Sequence, residues 1–130
     1  MGTDRRDLMD SSNVILCGAN AYEQKYYFNE KFSKLPDSIK EELHIMCVLF
    51  TEEVGGAFMI GFDKDNSLIL ITDADEGDLL YDEIGAGLMV KEVRKRKEDL
   101  FESLEMFYKS FVLGQPIDLG EEGEEDVTRN

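Results

Sequence analysis

The fold is decided by residues 57–72, which read AFMIGFDKDNSLILIT. Large apolar residues alternate with smaller ones in the first half, and the apolar run resumes after the polar residues 63–66. Alternation with a period of two is typical of a strand, and a short polar break between two such runs predicts a β-hairpin. The second run, residues 67–72, is apolar on both faces, which predicts either an interior position in the sheet or an interface on its far face.

A long helix is predicted just before this hairpin. Pro36 suits the first turn of a helix, and Gly55 lies past its far end. The apolar residues between them recur at intervals of three and four, and Ile45, Val48 and Leu49 widen the apolar stripe. A stripe this wide predicts a central helix that is covered on more than one side.

Two short apolar runs precede the helix, residues 14–17 and residues 25–29. Their β-branched and aromatic content predicts two strands, joined as a hairpin through residues 20–24. The alternative is a helix that starts at Asn20, because Asn20 and Glu23 stand at the spacing of a capping box.

Two helical segments are predicted after the second hairpin. The first begins at Asp78, which can cap it, and loosens at Gly85 and Gly87. The second extends from Val93 to Gly114 with apolar residues at helical spacing. The order strand, strand, helix, strand, strand, helix predicts an α+β fold, a two-layer sandwich of a four-stranded antiparallel sheet and two main helices.

Length and charge limit the functions that the chain can have. A chain of 130 residues suits one core, and we expect a single α+β domain at residues 13–114, a flexible segment at residues 1–12 and an acidic disordered tail at residues 115–130. The net charge of −15 argues against nucleic-acid and membrane binding and favours cations, basic surfaces or apolar grooves as partners. The polar start and the two cysteines predict a cytoplasmic protein.

Carboxylates crowd together just after the second hairpin, at Asp73, Asp75, Glu76 and Asp78. Several oxygen ligands at close range are what hard divalent cations require, so these four residues are a candidate site for Ca²⁺ or Mg²⁺. The segment is not an EF-hand, because Ile84 stands where the bidentate Glu is required. The alternative is a solvated acidic loop that serves the start of a helix. No other cofactor is predicted.

Three further clusters fall short of a site. His44 and Cys47 share a helical face, but two ligands do not make a zinc site and apolar surroundings do not activate a thiol. The basic residues 91–97 are interleaved with acids, which predicts a solvated face or a patch that answers the protein's own acidic loop. The aromatic residues within 22–28 lack the basic groove of a nucleic-acid platform, which favours packing in the core and the hairpin. The sequence therefore favours a non-enzymatic protein.

Four pieces of sequence carry a resemblance to a known family: CGANAYEQKYYFN at residues 17–29, Leu35-Pro36 with Ile39-Lys40, MCVLFTEEVGG at residues 46–56 and ADEGDLLYDEIG at residues 74–85. In these motifs the chain resembles a small bacterial family of domains of unknown function, over roughly residues 14–114. The resemblance implies a bacterial cytoplasmic protein without an established activity, and it assigns no functional residue.

The expected function is an acidic protein-binding, adaptor or chaperone-like module that acts through an apolar surface. A homodimer is also expected, because residues 67–72 together with Phe101, Phe107, Tyr108 and Phe111 offer more apolar surface than one small core needs. The alternative function is a divalent-metal-dependent enzyme or metal sensor that uses the four carboxylates.

Overall fold

A computed structural model describes residues 13–114 of the chain. Four strands form an antiparallel sheet in the order β2-β1-β3-β4, and the predicted α+β fold is confirmed. The elements are β1 (Val14–Asn20), β2 (Lys25–Phe28), α1 (Asp37–Val54), β3 (Ala57–Phe62), β4 (Leu68–Asp73), α2 (Glu83–Arg96) and α3 (Glu98–Phe107). The predictions for residues 1–12 and 115–130 lie outside the described residues.

The hairpin of β1 and β2 is confirmed, and the alternative helix at Asn20 is wrong. Asn20 pairs with Lys25 across the turn. The Asn20 side chain accepts hydrogen bonds from the N–H groups of Tyr22 at 2.8 Å and Glu23 at 3.2 Å, so the capping signal closes a turn instead of starting a helix. Strand β1 also extends three residues further than predicted, to Asn20.

Helix α1 packs on β1 and β3 and buries a stripe at helical spacing. Phe50 stacks on Phe58 of β3 at 4.0 Å between ring centroids. Helix α2 flanks α1, yet Ile45 and Leu49 are 51% and 55% exposed. The expectation that these two residues are covered is therefore wrong, because the apolar stripe is wider than the surface that the sheet and α2 cover.

Strand β4 lies at an edge of the sheet, so the predicted interior position is wrong. Among residues 13–114 it pairs with β3 alone, from Phe62↔Leu68 to Ala57↔Asp73. Both faces of β4 are apolar for a different reason: one faces the core and the other carries Ile69 and Ile71. The other half of the prediction, an interface on the far face, stays a prediction.

The helix predicted from Asp78 begins later, at Glu83. Asp82 is its N-cap and accepts a hydrogen bond from the Gly85 N–H at 2.8 Å. Asp78 instead accepts from the Leu80 N–H at 3.0 Å and holds a turn. Two aspartates four residues apart offered the same capping chemistry, and the later one starts the helix.

The single helix predicted from Val93 to Gly114 is two helices with a break at Lys97. Lys97 has φ −110°, outside the helical range, and its Nζ lies 2.6 Å from Oε2 of Glu42 on α1. A one-turn π-helix, Tyr108–Val112, continues from α3. Within residues 13–114 no helix is long and apolar enough to cross a membrane.

Candidate functional site on the open face of the sheet

The two faces of the sheet have different surroundings. Cys17, Phe58 and Ile60 point to the helices and are fully buried in the core. The opposite face, called the open face here, carries the side chains that alternate with these, and they neither belong to the core cluster nor pack against it. Its apolar residues are Ile15, Tyr27, Met59, Ile69 and Ile71. The open face is therefore an apolar surface that no described helix covers.

A groove of about 600 Å³ lies on the open face. Gly18 forms its floor between Tyr27 on β2 and Met59 on β3, which are its cross-strand neighbours. A Cβ atom at Gly18 would lie 2.5 Å from Cγ of Met59, so a side chain there would fill the floor and displace Met59. Ile15 completes the apolar lining. Volume and lining are those of a small binding site.

One end of the groove is polar. Glu23, Lys25 and Asp73 line it there, beside Asn20 at the end of β1. Apolar walls with a few charged groups at one end suit an elongated apolar ligand that carries a polar or charged group. The sequence did not indicate this groove, because the predicted first strand, residues 14–17, stops before Gly18, which the fold places between Tyr27 and Met59.

The acidic loop, residues 73–78, is tied to the turn beside this polar end. The Tyr22 hydroxyl donates to Oδ2 of Asp78 at 2.5 Å and accepts from the Asp75 N–H at 2.9 Å. Partial burial, followed by the hydrogen bond to Asp78, raises the pKa of Tyr22. Tyr22 therefore keeps its proton at neutral pH and ties the acidic loop to the turn between β1 and β2. No local sequence pattern indicated this role.

The predicted metal ligands do not form a recognisable centre. In the described part of the chain, no group of three or more His, Cys, Asp and Glu side chains is arranged to hold a metal ion. Asp78 is engaged by Tyr22 and the Leu80 N–H, while Asp75 and Glu76 are exposed. The Ca²⁺ or Mg²⁺ site at Asp73, Asp75, Glu76 and Asp78 stays a prediction.

The cysteines and the histidine are separated by the fold. His44 is exposed and stacks on the Tyr26 ring at 4.2 Å between centroids. Cys47 is buried with its sulfur 3.8 Å from that of Cys17. The hydrogen bond with Cys17, together with burial, raises the pKa of the Cys47 thiol, which keeps it protonated and unreactive. His44 and Cys47 thus form no nucleophilic pair.

Three basic residues in or just after α2 contact nearby groups of the protein. Arg96 lies 3.2 Å from Oε2 of Glu92, and Lys97 pairs with Glu42. Arg94 donates to the backbone carbonyl of Leu68 at 3.4 Å. The Arg94 and Lys97 contacts hold α2 and its end to β4 and α1, the Arg96–Glu92 pair lies within α2, and none of the three reaches the acidic loop.

A second apolar surface, the aliphatic ridge, lies where α2 begins. Leu79, Leu80, Ile84 and Leu88 are 94%, 93%, 80% and 63% exposed. Leu79 and Leu80 precede the first residue of α2, Glu83. Between Leu79 and Glu83, Tyr81 is the residue that turns inward, against Gly55 and Gly56, and the two leucines remain exposed.

Comparison with known proteins gives one match. A family model described as "Family of unknown function (DUF6145)" matches residues 13–116. No curated protein and no solved structure matches the chain.

Proposed function

The chain belongs to this family of unknown function, and we propose that it is a non-enzymatic protein-binding module of the bacterial cytoplasm. One observation carries the proposal: the groove on the open face is lined by Ile15, Tyr27 and Met59, which the core does not use. An apolar concave surface of this kind is typical of a site that a partner covers. An adaptor or chaperone-like role agrees with such a surface.

The partner that fits the groove is an extended segment with apolar side chains and basic neighbours. Alternate side chains of an extended segment point the same way and can enter the groove lined by Ile15, Tyr27 and Met59. The net charge of −15 attracts basic partners and speeds their association. Glu23 and Asp73 at the polar end of the groove supply carboxylates for a lysine or arginine of that segment.

The chemistry of the groove supports binding and not catalysis. The imidazole of His44 lies on α1, in the helical layer on the other side of the sheet. Both thiols are buried in the core. Tyr22 is held protonated by its raised pKa, so it is unsuited to act as a base at neutral pH.

Labelled peptides of about nine residues, long enough to cross a sheet of this size, test the proposal. One series alternates leucine with lysine, and the matched series replaces lysine with glutamate. We expect the lysine series to bind and the glutamate series not to bind, as measured by fluorescence anisotropy. Tyr27→Ser and Gly18→Val should each weaken binding at least about tenfold, which corresponds to about 1.4 kcal/mol.

The control is Leu80→Ser on the aliphatic ridge, which removes an exposed leucine that does not line the groove. Its peptide affinity should stay within about twofold of the wild type. Equal binding of both peptide series, or an equal loss in Leu80→Ser, would contradict the groove as the binding surface.

A further inference from the structure

The outer strand β4 leaves part of its backbone unpaired. The Leu68 N–H donates to Oε2 of Glu105 at 2.7 Å, and the Leu68 carbonyl accepts from Arg94, so its peptide groups point away from β3. Peptide groups alternate in direction along a strand, so those of Leu70 and Thr72 also point outward. Neither residue has a partner for these groups among residues 13–114.

We propose that β4 pairs antiparallel with β4 of a second copy of this chain, about a twofold axis at Ile71. Leu70 of one protomer then exchanges both backbone hydrogen bonds with Thr72 of the other, and the symmetry repeats the pair. Pairing ends at Leu68, whose groups Glu105 and Arg94 already satisfy. The two sheets become one continuous sheet.

The side chains of β4 favour a second copy as the occupant. Ile71 meets its symmetry mate directly on the open face, and a cross-strand pair of β-branched residues stabilises a sheet. The edge is self-complementary, because a single twofold axis pairs the outward N–H and C=O groups of Leu70 and Thr72 with those of the second copy. A twofold dimer is the commonest symmetry among soluble homo-oligomers.

Charges at the two ends of β4 also bear on the pairing. Lys91, Arg94 and Lys95 line a depression beside Leu68, where β4 begins, together with Glu98, Glu102 and Glu105. Asp73 and Asp75 lie where the strand ends. Antiparallel pairing brings the acidic end of each protomer to the other's depression, whose lining is of mixed charge and includes three cations. The net charge opposes association, but at physiological salt it is screened beyond about 8 Å.

A proline at position 72 tests the pairing with little effect on the protomer. The Thr72 N–H points outward, so Thr72→Pro removes a hydrogen bond of the dimer and none to β3. The matched control, Thr72→Val, keeps the N–H. By sedimentation at 100 µM in 0.15 M NaCl, we expect dimers for the wild type and Thr72→Val and a monomer with unchanged circular dichroism for Thr72→Pro.

Cysteine cross-linking tests the register and does not depend on how Thr72→Pro folds. Ile71 and its symmetry mate form a pair without hydrogen bonds, with Cα atoms about 4.5 Å apart, within reach of a disulfide. Ile69 and its mate are offset by four residues and lie roughly 14 Å apart. Mild oxidation should therefore link Ile71→Cys into a covalent dimer and leave Ile69→Cys unlinked. The native Cys17 and Cys47 are buried and do not interfere.

A monomeric wild type at 100 µM, or equal cross-linking of the two cysteine variants, would overturn the proposal. The edge and the groove are different surfaces, so the two proposals fail separately. Tyr27→Ser should remain dimeric, and Thr72→Pro should retain the peptide affinity of the wild type.

Discussion

The two faces of the sheet are built from the same strands and differ only in which alternate residues point to them. On the core face, Phe58 and Ile60 are fully buried beneath α1. On the open face, Met59 lies between them in sequence, and both Met59 and Ile71 of β4 remain outside the core. A solvent-facing side of an antiparallel sheet is normally polar. These strands therefore carry apolar residues, among them Ile15, Tyr27 and Met59, that the core of the protomer does not use.

The adjacent residues Phe58 and Met59 give the largest expected effect. Phe58→Ala removes a fully buried ring that stacks on Phe50, and we expect the free energy of unfolding to fall by about 3–5 kcal/mol. Met59→Ala should lower it by about 1 kcal/mol or less. Urea unfolding of both variants measures the difference. Similar losses would show that the open face belongs to the core, and the comparison would fail.

The adjacent residues Tyr26 and Tyr27 sharpen the comparison. The Tyr26 hydroxyl is buried and has no hydrogen-bond partner in the described part of the chain, whereas Tyr27 is 57% exposed. A buried hydroxyl without a partner costs free energy, so Tyr26→Phe should raise the free energy of unfolding by about 1 kcal/mol at pH 7. Tyr27→Phe should change it by less than about 0.5 kcal/mol. Destabilisation by Tyr26→Phe would mean that the Tyr26 hydroxyl has a hydrogen-bond partner.

The same pair predicts a difference in alkaline solution. Burial, followed by the nearby Cys17, raises the pKa of Tyr26 above its ordinary value. The unfolded chain loses this proton near pH 10 while the folded chain keeps it, so the stability present below about pH 10 declines as the pH rises further. Tyr26→Phe should decline less steeply than the wild type between pH 9 and pH 11, and Tyr27→Phe is the control.

The acidic loop borders the open face and gives the smallest expected effect. Asp78 is already engaged by Tyr22, so we expect millimolar Ca²⁺ or Mg²⁺ to raise the melting temperature no more than NaCl of equal ionic strength. A rise specific to divalent ions that disappears in Asp75→Asn would instead establish the metal site at Asp73, Asp75, Glu76 and Asp78. The alternative function as a metal-dependent enzyme or sensor would then gain support.

The strands and the sheet could be predicted because alternation is a local signal. Residues 57–72 show both strands and the turn between them without any knowledge of the rest of the chain. The place of β4 could not be predicted, because apolar residues on both faces describe an interior strand and an edge strand with an uncovered face equally well. Capping signals were ambiguous for a similar reason, since Asn20 closes a turn and Asp82, not Asp78, starts α2.

The groove and its surroundings depend on contacts between distant residues. Tyr22 meets Asp78 across 56 positions of the chain, and Gly18 lies between Tyr27 and Met59 only after three strands have paired. No spacing in the sequence reports such contacts. The acidic loop was recognised from its composition, but its attachment to the β1–β2 turn required the fold.

The two cysteines, Cys17 on β1 and Cys47 on α1, can report how often the core of the protein opens. Both sulfurs are sealed in the core, so an alkylating reagent reaches Cys17 or Cys47 only when that part of the molecule opens. The alkylation rate of Cys17 therefore measures how often β1 opens, and the rate of Cys47 measures how often α1 opens. Equal rates would mean that the sheet and the central helix open together as a single cooperative unit.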